Sequence, residues 1–188
     1  YFFISIPMFI GIGFLAKPIT LFIFNPIYLD TLNIIYVLLI SFFIGDLVYT
    51  FNSLTFVLKR PDIDFYSNIF SIYNIVMNIL GLKIFGLLGV AYATGSTVIL
   101  IYLYYLFVFK VKLKIQLKIP FSSLLKVFLN IIPLSLFFLF VINRINNQIH
   151  IIIVIISSII IFLFCSSLNR IFSKKETEFM NSIIGKKI

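Results

Sequence analysis

The chain has 188 residues, of which 62% are hydrophobic and 11% charged, with a formal net charge of +9 and a mean hydropathy of +1.17. Ordinary soluble domains carry about 25% charged residues, and a fold of this length has no interior large enough for so much apolar surface. A soluble enzyme and a basic nucleic-acid-binding domain are thereby excluded, which leaves an integral membrane protein.

A helix needs about 20 apolar residues to cross a bilayer, and six segments meet that requirement in chain order. The first, Phe2–Phe24, lacks a basic leader and a small-residue cleavage site and so does not read as a signal peptide. With Tyr1 at its head, the chain is expected to be the C-terminal part of a longer protein, ending naturally at Ile188. "NP" at Asn25–Pro26 breaks the pattern before the second segment, Leu32–Leu58; "KRPD" at Lys59–Asp62 precedes the third, Phe65–Leu82. The short "GLKIFG" leads to Gly86–Phe109, the basic run "KVKLKIQLKIP" to Phe121–Ile142, and "NRINNQ" to Ile149–Leu168. The expectation is an all-α fold of six transmembrane helices in one bundle over 1–170, with a basic cytoplasmic tail over 171–188.

The basic residues alternate by side. Twelve of the fifteen Lys and Arg fall in the second and fourth connections, their flanks and the tail. Only Lys83 and Arg144 fall on the other side, and Lys17 lies within the first segment. By the positive-inside rule both ends of the chain are cytoplasmic. The strict alternation from Lys110 to Ile119 fits a connector held in the headgroup layer by anionic lipid, at about 1 kcal/mol per Lys.

Two charges lie within the spans. Lys17 precedes the kink-prone Pro18, and Asp46 sits near the middle of the second segment on one face with Tyr49, Thr50 and Ser53. An ionisable group at mid-membrane costs about 2.5–3.5 kcal/mol on insertion scales, so it is a functional candidate by default. A structural Lys17–Asp46 pair is the competing reading; counted from the outer segment ends, the two levels differ by about 9 Å, part of which a snorkelling lysine covers. A second polar stripe joins Ser67, Ser71, Asn74 and Asn78 at intervals of four, three and four. It serves either interhelical hydrogen bonding or the wall of a hydrated cavity.

The glycine-rich stretch from Gly81 to Gly95 is not a phosphate loop: Leu87 and Leu88 stand where Lys and Ser/Thr are required. It reads as a tight hairpin followed by a small-residue face, with Ala91 and Gly95, and Ala93 and Thr97, each four apart. No cofactor or metal motif is present: His150 stands alone at an interface, and Cys165 is the single cysteine. Asp62 and Asp64 read as solvated residues helping to cap the third segment, and Tyr102, Tyr104 and Tyr105 as interfacial anchors.

The asparagines followed by "IFGLLGVAYATGST" resemble a signature in the C-terminal half of bacterial polysaccharide flippases, the O-antigen-type exporters of the multidrug/oligosaccharidyl-lipid/polysaccharide superfamily. The matching positions are Asn74, Asn78, Gly86, Gly89, Ala91, Ala93 and Thr94. "FLAKPITLFIFNPIYLDT" is similar to another segment of the family through Ala16, Lys17, Pro18, Ile19 and Tyr28, although Asn25 stands where glycine is usual. The ending "NRIFSKKETEFMNSIIGKKI" resembles the tail that closes many such proteins.

The resemblance implies a two-bundle transporter in the bacterial inner membrane. It would move undecaprenyl-pyrophosphate-linked oligosaccharide by alternating access, with the N-terminal half of the same chain and other polysaccharide-assembly proteins as partners. Lys17, Thr50, Ser71, Asn74 and Asn78 would then contact substrate, and Asp46 would bind a coupling proton or cation. A multidrug exporter of the same superfamily and a membrane enzyme of polysaccharide assembly stay open. The exporter would call for more intramembrane acid, and the enzyme for a large outer loop or an acid/His constellation. A purely structural subunit would need neither Asp46 nor the polar stripes.

Overall fold

A computed structural model of the chain describes residues 2–115 and 121–169, which are helical throughout apart from short turns. The helices are α1 (Phe2–Ile19), α2 (Leu32–Val57), the short α3 (Pro61–Ser67), α4 (Phe70–Phe107), α5 (Phe121–Val141) and α6 (Gln148–Leu168). Five helical runs are long and apolar enough to cross a membrane, the third of them extending over Pro61–Lys112. Large side chains on their outer faces are exposed, such as Phe140 and Phe56 at 76%. That arrangement suits hydrocarbon as the surrounding solvent, and the protein is an α-helical, multi-pass membrane protein. The tail, 171–188, lies outside the described residues.

The helices fall into two compact units, Phe3–Ile119 and Pro120–Ile188. In the first, α1 runs antiparallel to α2. The Phe9 and Phe43 rings meet edge-on at 5.8 Å, and a side chain at Gly13 would touch Leu39. α1 ends in a π-helical turn, Thr20–Phe24, and a 3-10 turn, Pro26–Thr31, returns the chain to α2. Asn25 caps that return by accepting the Ile27 amide.

α4 is two helices. Gly86 is its one non-helical residue, at φ 63° and ψ −147°, a region open essentially to glycine alone. A straight helix would hold Asn74 and Thr97 about 35 Å apart; their side chains instead hydrogen-bond at 2.9 Å. Residues 70–85 and 87–107 are therefore the arms of a hairpin. They touch backbone to backbone at Gly81 and Gly89, where a Cβ on either would fall within 2.5 Å of the other's carbonyl oxygen.

The small-residue face divides between two partners. Gly89 and Thr97 meet the first arm, while Gly95 meets Ser41 of α2, whose hydroxyl would lie 2.6 Å from an added Cβ. Gly45 of α2 lies against Val98, and the Phe51 ring of α2 stacks on Tyr105 at 5.7 Å. These pairs advance together along both elements, so α2 and the second arm are parallel. Phe51, Ile63, Tyr105, Val108 and Phe109 form the apolar core at the end where α2, α3 and the second arm converge.

In the second unit α5 and α6 pair through facing stripes. Val127, Ile131, Leu134 and Phe138 on α5 are buried at the three-to-four-residue intervals of a helix face, and Ile151, Val154 and Phe162 on α6, three and eight residues apart, are buried on one face as well. Asn147 caps α6 by accepting the His150 amide.

Candidate functional site

Packing register separates the two intramembrane charges. With Phe9 opposite Phe43 and Gly13 opposite Leu39, Lys17 is level with Ile35 and Asp46 with Ile6. The levels differ by eleven residues, about 16 Å along the axis. No ion pair joins Lys17 and Asp46, so the structural-pair reading is corrected. The segment ends misled because the π-helical turn carries α1 beyond the level of Leu32.

Lys17 is exposed and Asp46 half-buried. The Asp46 carboxylate has no hydrogen bond or ion pair with any described residue; only its backbone carbonyl is engaged, by the Thr50 hydroxyl at 3.1 Å. Ser53 likewise bonds back to the Tyr49 carbonyl at 3.0 Å. Phe42, Asp46, Tyr49, Ser53 and Phe56 share one face of α2, and Phe42, Tyr49 and Phe56 on it are more than half exposed. A mid-membrane carboxylate on a face that this unit does not cover is unfavourable against lipid. It has to meet water, another part of the protein, or a ligand.

The stripe on the first arm of α4 has a different use. Asn78 donates to the Asn74 side-chain carbonyl at 2.9 Å, Asn74 donates to Thr97 at 2.9 Å, and Thr97 donates to the Ala93 carbonyl at 2.8 Å. Tyr73 meets Ser96 at 3.3 Å beside this ladder. Asn74 thus ties the hairpin arms together, and Asn78 braces it from within the first arm. Asn78 Oδ1 is buried without a partner among the described residues, at the head of the ladder. Ser71 stands apart, exposed at the α3–α4 junction, while Ser67 belongs to another cluster.

That cluster centres on Asp64. Its carboxylate accepts the Tyr105 hydroxyl at 2.6 Å and the Thr55 hydroxyl at 2.5 Å. The Tyr105 hydroxyl also contacts the Asn52 side-chain carbonyl and Ser67 Oγ at 3.3 Å, and Ser67 donates to the Asp64 backbone carbonyl at 2.8 Å. Tyr105 and Thr55 are fully buried. Asp64 is therefore not a solvated capping residue, and Tyr105 is not an interfacial anchor. Asp62 alone fits that description, in an exposed 2.8 Å ion pair with Arg60. Tyr104 is half-buried and donates to the Ile63 carbonyl at 3.2 Å.

A third polar group lies in the second unit. Asn130 is fully buried on α5, donates to Ser166 at 3.3 Å and accepts from Asn169. His150 Nδ1 accepts the Asn146 amide at 3.3 Å, a local turn contact. Among the described residues no group of His, Cys, Asp and Glu could hold a metal ion. Comparison with protein-family models, with curated proteins and with solved structures finds no match.

Proposed function

We propose that this chain forms one half of a transporter that flips lipid-linked oligosaccharides of the undecaprenyl-pyrophosphate type across the bacterial inner membrane. The half has six spans, with the hairpin at Gly86 supplying the extra crossing beyond five long helical runs, and both of its ends are cytoplasmic. The parallel run of α2 and the second arm of α4 supports this, because two crossings separated by one other must point the same way. The remaining half of the protein covers the Asp46 face of α2, and alternating access exposes that face to each side in turn for surface-polysaccharide assembly.

The observation that carries the reading is the carboxylate of Asp46 at mid-span, without a partner among the described residues and on a face that its own unit leaves uncovered. A structural subunit has no use for such a group, whereas a transporter uses it to take up and release a proton or cation. Lys17, offset by about 16 Å along the axis, belongs to a separate locus as a contact for the substrate's phosphate. Thr50 orients the Asp46 turn, and the Asn74–Asn78 ladder fixes the hairpin wall behind it.

The test is made in the full-length protein. Asp46→Asn is expected to reach the membrane at the normal level and to support little or no surface polysaccharide, while Asp46→Glu keeps a substantial part. Normal export by Asp46→Asn would overturn the proposal.

A further inference from the structure

The polar cluster around Asp64 has fewer hydrogens than its close contacts require. A hydroxyl supplies one hydrogen and an ionised carboxylate none. The Ser67 hydrogen goes to the Asp64 backbone carbonyl at 2.8 Å. The Thr55 hydrogen is claimed twice, by the Asn52 backbone carbonyl at 2.7 Å and by Asp64 Oδ2 at 2.5 Å. The Tyr105 hydrogen is also claimed twice, by Asp64 Oδ1 at 2.6 Å and by the Asn52 side-chain carbonyl. Turning the Asn52 amide to present its NH2 group would settle the Tyr105 conflict, but it leaves the one at Thr55 untouched. A hydrogen divided between two acceptors points squarely at neither, and hydrogen bonds weaken steeply as they bend. Both Thr55 contacts are short, so one of them needs a hydrogen of its own.

No cation takes its place. Arg60 spends its guanidinium on Asp62, in the exposed pair at 2.8 Å. From α2 the carboxyl group is faced by the neutral Asn52 and Thr55, and from the second arm of α4 by Tyr105. Tyr104 turns its hydroxyl to the Ile63 carbonyl at 3.2 Å, and Asp62 and Tyr66 on α3 itself are exposed. Among the described residues Asp64 therefore has hydroxyl partners, with Thr55 and Tyr105 fully buried, and no ion pair. A carboxyl proton supplies the missing hydrogen and removes an unpaired charge, which is costly beside buried groups. With that proton on Oδ2, Asp64 donates to Thr55, Thr55 gives its own hydrogen to the Asn52 carbonyl, and Tyr105 donates to Oδ1. Asp64 is itself half-buried, which leaves the proton a route to solvent.

We propose that Asp64 is a proton-binding site, occupied when α3 is docked against α2 and the second arm of α4. Loss of the proton sets a carboxylate oxygen against Thr55 and loosens that joint. The docked state binds one proton more than the undocked state, so raising the pH favours undocking. The site lies on a different element from Asp46, and it does not depend on transport.

Ile63, 2% exposed on α3, reports docking. In the full-length protein carrying Cys165→Ser, the rate at which a water-soluble maleimide modifies Ile63→Cys is divided by its rate at Phe65→Cys, a position 71% exposed. The division cancels the titration of the thiol. The ratio is expected to rise with pH, by at most about tenfold per pH unit for one proton, and to be indifferent to exchange of sodium for choline. Asp64→Asn, whose amide keeps a donor for Thr55 without a titrating group, should hold the ratio low throughout, and Asp64→Ala should raise it throughout. Because Ile63→Cys alters the core, infrared spectra of the protein with Ile63 intact give a second reading. A carbonyl band from a protonated carboxyl group should fade as the pH rises and be lost in Asp64→Asn. A ratio that ignores pH, a ratio set by sodium, loss of protection in Asp64→Asn, or carboxyl bands unchanged by Asp64→Asn would overturn the inference.

Discussion

One hydroxyl joins three helices. Tyr105 reaches Asp64 of α3 at 2.6 Å, Asn52 of α2 and Ser67 at 3.3 Å from a fully buried position on the second arm of α4. Removing the oxygen keeps the ring that stacks on Phe51 but leaves buried acceptors short of a donor, which costs about 1–3 kcal/mol. Tyr105→Phe should therefore lower the unfolding free energy of the full-length protein in detergent by that amount. Tyr104→Phe should cost less, since the half-buried Tyr104 hydroxyl makes one bond to a backbone carbonyl. Equal losses from the two variants would show that the Asp64 cluster is not the stronger tie. Nothing in the sequence distinguished these neighbouring tyrosines: an aromatic cluster near a helix end reads as a membrane-interface anchor. The distinguishing fact is that α3 folds back against α2, placing Asp64 under Tyr105. That contact is between residues 41 apart, and local pattern does not carry it.

At the scale of elements, the α4 hairpin was legible and the α1–α2 register was not. The short "GLKIFG" connection contains its own signal, because Gly86 alone can adopt the reversed backbone and Gly81 and Gly89 permit the arms to touch. Lys17 and Asp46 were placed by counting from segment ends, which fails when a π-helical turn extends one helix past its neighbour's start. The glycines also separate two kinds of strain. Gly86→Ala has open space around the new methyl but a backbone conformation that costs about 1–3 kcal/mol for a non-glycine residue. Gly89→Ala keeps a helical backbone but drives a methyl to 2.1 Å from the Gly81 carbonyl oxygen, so the arms must part. Cysteines replacing Asn74 and Thr97 in a Cys165→Ser background should cross-link readily. Adding Gly89→Ala should slow that cross-linking more than adding Gly86→Ala. No cross-link in the parent pair would exclude the hairpin.

For the whole molecule, membrane residence follows from composition and from the exposed apolar faces, whereas the number of crossings depends on Gly86. The charge asymmetry makes a checkable statement about sides. Reporter fusions after Leu29 and after Asn146 should read periplasmic, and fusions after Lys112 and at Ile188 cytoplasmic. A fusion after Phe85 is the sensitive one: a periplasmic signal there fits an arm that crosses and returns, and a cytoplasmic signal would reduce the crossings and break the parallel relation of α2 to the second arm. The functional reading was less legible than the fold, because the polar stripes look alike in sequence. Asn74 holds one arm to the other and Asn78 holds Asn74, while the Asp46 carboxylate holds nothing among the described residues. Only packing shows which polar group is occupied and which is left free.

The ladder across the hairpin constrains how the chain enters the membrane during synthesis. Asn74 reaches Thr97, its partner, only across 23 positions of sequence, which a ribosome needs about 1–5 s to add at 5–20 residues per second. Throughout that interval the first arm would present to hydrocarbon the Asn74 N–H that Thr97 later accepts, since Asn78 reaches Asn74 only through its carbonyl, and an unpaired polar group there costs several kcal/mol. The first arm is thus a poor substrate for solitary release into lipid. It has to wait beside the insertion channel until its sister arm emerges, and the two then partition as a pre-formed pair. Slowing translation between Gly86 and Thr97 would lengthen the wait and expose the nascent chain to quality-control proteolysis, although the finished protein would be identical.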